Sequence, residues 1–227
     1  MNAVTVGVVV PAYQAADSIH DVVRKCQRLA DIVGVIVVDD GSSDGTGDVA
    51  RNEGAIVITH EGNRGKGAAL VSGFAEASCR NWDAVITIDA DGQHDPRFIP
   101  AFIQCHATTG ADVIVGARRR EDSPMPLPRR LSNAMSSAVV SRLANARITD
   151  SQSGYRLVSR RVWETLRFTR TRYDMESELL IKAGRVGYRI AEIPITTVYG
   201  VEQSHFRALR DTFRMAKVFV SLWREVE

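Results

Sequence analysis

With three cysteines in 227 residues, this chain has too few for a disulfide framework, and Cys26, Cys79 and Cys105 are spaced too widely for a zinc site. They are expected to be reduced thiols packed in a core. No apolar run approaches the roughly eighteen residues that a membrane-spanning helix needs. The N-terminus enters an apolar strand without a charged-then-apolar leader, so no signal peptide is expected. A formal charge of +2 leaves little excess of either sign. RNA-binding aromatic motifs, helix-turn-helix signatures and zinc-finger spacings are also missing, so nucleic acid is not an expected partner. These absences point to a cytoplasmic chain, soluble or peripheral at a membrane face. The patterns G-x-x-x-x-G-K-[ST], G-x-G-x-x-G after the first strand, and G-x-S-x-G do not occur either. That argues against a P-loop NTPase, a dinucleotide dehydrogenase and a serine hydrolase of the nucleophile-elbow type.

What is present is a globular composition, 44% hydrophobic and 25% charged, enough for one sizeable domain. Residues 4–10 form an apolar β run stopped by Pro11, and Asp17 or Ser18 can cap a helix carrying Ile19, Val22, Val23, Cys26 and Leu29. A second buried strand spans 33–38, followed by a short helix to about Asn52, a strand over 55–59 and a helix over 68–78. A strand from Ala84, a helix near 97–106 and a strand over 112–116 complete the alternation. Strands alternating with helices imply right-handed βαβ units and a mostly parallel central sheet flanked by helices, a Rossmann-like α/β fold.

The chain is organised around residues 84–96, A-V-I-T-I-D-A-D-G-Q-H-D-P. An apolar run ends in Asp89-Ala90-Asp91, and two carboxylates at i, i+2 repel each other unless a cation lies between them. Hard oxygen ligands suit Mg²⁺ or Mn²⁺, and Gln93 adds a neutral oxygen. An acidic loop that caps the next helix explains the same residues. Ligands of such sheets bind at the carboxyl ends of strands. There the sequence sets Tyr13, Asp39 and Asp40, Lys66, Asp89 and Asp91, and Arg118. Each has a bland explanation as turn, flexible loop or solvated charge. Jointly they describe an anionic ligand bridged by metal to the acidic pair, with Lys66 and Arg118 as counter-charges.

V-V-V-P-A-Y, V-V-D-D-G-S-S-D-G-T, N-R-G-K-G-A-A-L, D-A-D-G-Q-H-D-P, V-G-A-R and D-S-Q-S-G-Y-R-L occur in that order. Together they resemble family 2 glycosyltransferases of GT-A fold, in the branch acting on dolichyl or polyprenyl phosphate. The resemblance runs from Val4 to about Phe206. It implies that Pro11, Ala12 and Tyr13, with Asp39 and Asp40, hold the nucleobase and ribose of a donor such as GDP-mannose or UDP-glucose. It implies that Asp89, Asp91 and Gln93 hold the metal on the donor diphosphate, with Ala90 in the donor site and Asp91 among the catalytic residues. The family usually continues P-x-Y-N-E, whereas this chain has Gln14 and Ala15, so one carboxylate on the nucleotide side is missing.

One domain over 1–227 is expected, with a nucleotide-sugar half over 1–118, an acceptor half over 119–204 and a C-terminal amphipathic helix over 205–227. Arg118, Arg119, Arg120, Arg129 and Arg130 surround three prolines, a composition that suits an exposed, mobile loop. Arg118, Arg129 and Arg130 would clamp an acceptor phosphate, since arginine matches phosphate bidentately; Arg118 and Arg130 are placed with the catalytic groups. Arg156 would face the same anions. The resemblance implies that Glu176 faces the site, although an acidic first turn also stabilises its helix. Residues 190–199 read as a strand pair or hairpin arm.

The expected reaction is inverting transfer of a mannose or glucose to a polyprenyl or dolichyl phosphate. Alternatives are a saccharide hydroxyl acceptor, or a catalytically silent nucleotide-binding module. In 205–227, Phe206, Leu209, Phe213, Ala216, Val220 and Trp223 make one helical stripe. Arg207, Arg210, Arg214, Lys217 and Arg224 make a basic one beside it. Such a helix suits an anionic membrane surface; the apolar stripe would otherwise pack on the sheet or on a second subunit of a homo-oligomer.

Overall fold

The first strand, β1 (Val6–Ala12), sends Val6, Val8 and Val10 to one face and Val9 to the other, and all four are fully buried. A strand buried on both faces needs helices on both. The computed structural model describes residues 4–118 and 127–196, and of 127–131 the backbone alone. β1 is joined by β2 (Val35–Asp39), β3 (Ile56–Thr59), β4 (Ala84–Thr87), β5 (Val113–Arg118), β6 (Arg156–Ser159) and β7 (Ile190–Ile195) in one sheet, ordered β3-β2-β1-β4-β6-β5-β7. β6 runs antiparallel to β4 and β5, and the other pairings are parallel. The ends of β1, β2, β3, β4 and β5 therefore open on one edge, where the polar residues were expected.

The same alternation sorts the helices. α1 (Ala16–Gln27), α2 (Thr46–Asn52) and α4 (Ile99–Thr109) cover the face of Val6, Val8, Val37 and Ile86 through Ile19, Val23, Ala50 and Phe102. α3 (Lys66–Cys79), α5 (Leu127–Ala144), α6 (Arg160–Thr165) and α7 (Asp174–Val186) cover the face of Val9, Ile36 and Val85 through Phe74, Val140, Trp163 and Leu180.

Several local expectations are corrected. Pro11 does not stop β1. It lies two residues beyond Val9, whose carbonyl accepts the last β1–β4 bond, from Ile88 N–H. β4 itself ends at Thr87, so the missing proline donor removes no bond of that ladder. Neither Asp17 nor Ser18 caps α1; both lie in its first turn, and Asp44 accepts from Ala16 N–H at 3.0 Å. Residues 127–130 form the first turn of α5 rather than a loop, with Pro128 at a position where helices tolerate it. Of the strand pair or hairpin arm expected over 190–199, Ile190–Ile195 is a strand parallel to β5, and 197–199 lie outside the described residues. Cys26 is buried as expected, but Cys79 is exposed; all three thiols are free. The helix expected over 205–227 lies outside the described residues. Among the described ones, no helix is long and apolar enough to cross a membrane.

Candidate active site

Lys66 opens α3, Asp89 follows β4 and Glu176 lies in the first turn of α7, so three separate elements converge on one ammonium. Lys66 Nζ lies 2.6 Å from Asp89 Oδ1 and 3.1 Å from Glu176 Oε1. Burial works against the Lys66 charge, but Asp89 and Glu176 outweigh it and hold the ammonium's pKa above the usual lysine range. Asp89 is held below the usual carboxylate range in return: burial opposes this, and Lys66, then His94, overcome it. Lys66 Nζ also lies 5.7 Å from the ring centroid of Tyr173, an exposed aromatic at the rim.

Asp91 is open to solvent, and Oδ1 accepts from Gln93 N–H at 2.9 Å. The surrounding protein and the Asp89 charge push its carboxyl above the usual range. Desolvation is the larger cause, and the neighbouring Asp89 carboxylate adds to it. His94 is buried against Tyr155, with ring centroids 5.2 Å apart, and its Nδ1 has no hydrogen-bond partner. Burial lowers its pKa. Among the described residues no three or more His, Cys, Asp or Glu side chains form a metal-holding group. A divalent ion here would have Asp89, Asp91 and Gln93 as its protein oxygens and would need further oxygens from a ligand. Mg²⁺ is often held in that way, by one or two carboxylates plus substrate phosphates, and the donor set fits it.

The remaining expected residues divide. Tyr13 stands half-exposed at the end of β1, while Ala12 and Ala90 are buried in the core beneath the rim. Asp39 Oδ1 caps the turn by accepting from Ser42 N–H at 3.0 Å. Asp40 is buried, and its carboxylate accepts from His60, Arg64 N–H and Gly65 N–H. It holds the chain internally rather than presenting itself to a ligand. Gln14, at φ 52°, donates its backbone N–H to Ser42 Oγ and its side-chain amide to Ser43 Oγ, so the residue that departs from P-x-Y-N-E ties this turn to the 42–46 loop.

Arg118 was expected as a counter-charge and phosphate clamp. Instead Nε and Nη2 grip the two oxygens of Asp150 at 2.6 and 2.7 Å. Burial opposes the Asp150 charge, and the Arg118 hydrogen bonds prevail and hold its pKa low. Arg156 was expected to face anions. It is fully enclosed, and Nε, Nη1 and Nη2 donate to the carbonyls of Ser153, Glu176 and Ser151 at 2.8, 2.6 and 2.7 Å. Its guanidinium ties the 151–154 loop to α7 instead. Arg129 and Arg130 lie in the first turn of α5, with side chains outside the described part.

Four residues escaped the sequence reading. Asp150 and Gly154 sit inside a motif quoted there, but nothing in their spacing says that one pairs with Arg118 and the other leaves room for Lys66 and Asp89. Glu178 was visible only as one more acid near the start of α7. It is wholly buried and accepts from Thr169, Arg170 and Lys182. His60 carried no signal beyond its position after β3.

This sheet order, with an acidic pair after β4 and a lysine from α3 against it, defines a glycosyltransferase of the GT-A fold. Residues 7–167 match the family model described as Glycosyl transferase family 2, and the chain belongs to that family. A UDP-N-acetylglucosamine–dolichyl-phosphate N-acetylglucosaminyltransferase of Methanococcus voltae is 33% identical over 213 residues, 84% of each chain. An undecaprenyl-phosphate mannosyltransferase of Micrococcus luteus is 29% identical, covering 84% of this chain and 82% of that one. Glucosyl-3-phosphoglycerate synthase of Mycobacterium tuberculosis, crystallised with Mn²⁺ and UDP-glucose, shares the fold. Its TM-score is 0.77 at 24% identity, over 96% of this chain and 78% of that one.

Proposed function

We propose that this enzyme transfers a hexose, mannose or glucose, with inversion from a nucleoside diphosphate sugar to a polyprenyl or dolichyl phosphate. The observation that carries this reading is the Lys66–Asp89–Glu176 cluster beside Asp91 at the carboxyl edge of the sheet. It holds one fixed ammonium among carboxylates whose excess negative charge a divalent cation would offset, where a donor diphosphate would lie. The names of relatives acting on dolichyl and undecaprenyl phosphate support the acceptor.

A bound Mg²⁺ or Mn²⁺ held by Asp89, Asp91 and Gln93 would supply charge stabilisation for the departing nucleoside diphosphate. The chain's own groups divide the remaining work. Lys66 adds a rigidly held ammonium on the leaving-group side. Half-exposed Tyr13 offers a ring face to a nucleobase. Arg129 and Arg130, near the start of α5, are the candidates for the acceptor phosphate. A phosphate monoester has its second pKa near 6, so most of it already carries the nucleophilic charge at neutral pH and needs no general base.

The test is transfer from radiolabelled GDP-mannose, UDP-glucose and UDP-N-acetylglucosamine to a polyprenyl phosphate in detergent, with Mn²⁺, Mg²⁺ or EDTA. Label entering an acid-labile lipid phosphodiester, lost with EDTA and with Asp89→Asn or Asp91→Asn, is expected. Label passing instead to a saccharide hydroxyl would replace the acceptor assigned here. Nucleotide binding with neither transfer nor donor hydrolysis would indicate a silent module.

A further inference from the structure

His60 ends the β3 segment and is almost wholly buried, as is Asp40 at the end of β2. His60 Nδ1 lies 2.6 Å from Asp40 Oδ1, and Nε2 lies 2.9 Å from Ser72 Oγ on α3. A carboxylate can only accept, so Nδ1 carries the proton toward Asp40. In that tautomer Nε2 is placed to accept from the Ser72 hydroxyl. We infer that His60 is a positioning residue for transfer: through Asp40 it fixes the backbone of Arg64 and Gly65 and so aims Lys66 at the donor diphosphate. The inference rests on the donor reading above.

The chain of contacts is continuous. Beyond His60, Asp40 accepts from Arg64 N–H at 2.9 Å and from Gly65 N–H at 2.7 Å. A buried carboxylate is tolerated only when satisfied in this way. Gly65 is the residue before α3 and has φ +98°; a Cβ there would lie 2.5 Å from the Thr171 carbonyl oxygen. With no side chain capping α3, the Asp40 carboxylate is what anchors the turn entering that helix. Lys66 is the next residue, and its Nζ reaches Asp89 and Glu176. Removing the His60 donor leaves Asp40 one hydrogen bond short, and both N–H groups of the Arg64–Gly65 turn are donated to that carboxylate. A ring that merely filled space would not connect to Lys66 in this way.

The test compares affinities for UDP against UMP and for GDP against GMP, by calorimetry on the full chain. The β-phosphate is the part that a correctly aimed Lys66 would recognise. His60→Gln places its amide near the Nε2 position and abandons Asp40; His60→Asn keeps a donor near the Nδ1 position. The diphosphate preference is expected to fall about tenfold in His60→Gln and in Lys66→Ala, the scale of one lost charge-assisted contact. His60→Asn should retain it, and the His60→Gln/Lys66→Ala double variant should lose no more than Lys66→Ala alone. A preserved preference in His60→Gln, or additive losses in the double variant, would overturn the inference. If His60→Gln does not fold, His60→Asn decides alone: a kept preference supports the assignment and a lost one overturns it. A wild-type protein indifferent to the β-phosphate would instead overturn the donor reading itself.

Discussion

The Lys66 ammonium and the Asp89 carboxylate meet at 2.6 Å against the backbone of Gly154, where there is no room for a side chain. A Cβ at 154 would lie 2.7 Å from both Lys66 Nζ and Asp89 Oδ2. The backbone cannot retreat easily, because the Gly154 carbonyl accepts from the Thr87 hydroxyl at 2.8 Å, within β4 itself. The loop before β6 therefore sets how closely α3 and β4 bring their opposite charges together.

Gly154→Ala should push this ion pair apart while leaving the sheet in place. Overpacking of this kind costs about 1–3 kcal/mol, so a modest drop in melting temperature is expected. The kcat of sugar transfer should fall much further, by on the order of 100-fold, as it does when one preorganised charge contact is lost. Turnover near that of the wild type, with unchanged circular dichroism, would mean that the Lys66–Asp89 spacing does not matter to the chemistry.

Much of this arrangement was legible because buried parallel strands write themselves as runs of valine and isoleucine that end in polar residues. Val35–Asp39 and Ala84–Thr87 are short, and both stop where the carboxylates begin. α5 was illegible for the opposite reason. Ser136 and Ser137 are buried and bonded to Ser151, and Ser141 pairs with Ile148, so polar residues occupy its inward face and erase the helical period. The antiparallel course of β6 leaves no local mark, since Arg156–Ser159 would read alike in either direction. Which charges pair is a tertiary outcome. Arg118 turned out to be engaged by an acid 32 positions away, and Asp40 by a histidine 20 positions on.

The Arg118–Asp150 pair should be visible in the acid limb of stability. The folded-state pKa of Asp150 is depressed below its ordinary value of 3.8. A depressed carboxylate favours the folded state fully at pH values above the unfolded pKa. That contribution declines as pH falls through 3.8 toward the folded value and is gone below it. The melting temperature of the wild type should therefore drop more steeply below about pH 4 than that of Asp150→Asn. At pH 7 the variant should be the less stable of the two. Parallel curves from pH 7 to pH 2 would show that the pair adds nothing to folding.

Thiol chemistry distinguishes the two ends of the burial scale. Burial pushes the Cys26 thiol up to about 12, and its side chain lies in the core between α1 and the sheet, whereas Cys79 is exposed at the end of α3. Alkylation needs both a thiolate and access. Iodoacetamide at pH 8 is expected to modify Cys79 in the native protein within minutes and to leave Cys26 untouched until denaturant is added. Peptide mass mapping reads this directly. Native labelling of Cys26 at a rate like that of Cys79 would show that α1 opens from the sheet.

Arg156 is among the largest fully buried side chains of the described residues. Its guanidinium serves the carbonyls of Ser151, Ser153 and Glu176 at once, so it joins the loop that carries Gly154 to the turn that carries Glu176. Burial alone disfavours its charge and lowers its pKa, which Glu176, Asp150 and Asp89 oppose. Lysine has the charge but not the fork: a single ammonium on a flexible stem cannot span three carbonyls that diverge around a planar group. Arg156→Lys should leave at least one buried carbonyl unpaired, at about 1–3 kcal/mol each, and should loosen Glu176 from Lys66. Chemical denaturation should thus show a lower midpoint with unchanged slope. The remaining folded enzyme should show reduced kcat, because Lys66 loses part of its fixed setting. Arg156→Met removes the charge as well and should be less stable than Arg156→Lys, since the same carbonyls then find no donor at all. Were Arg156→Met as stable and as active as the wild type, the three hydrogen bonds would be incidental to both fold and site.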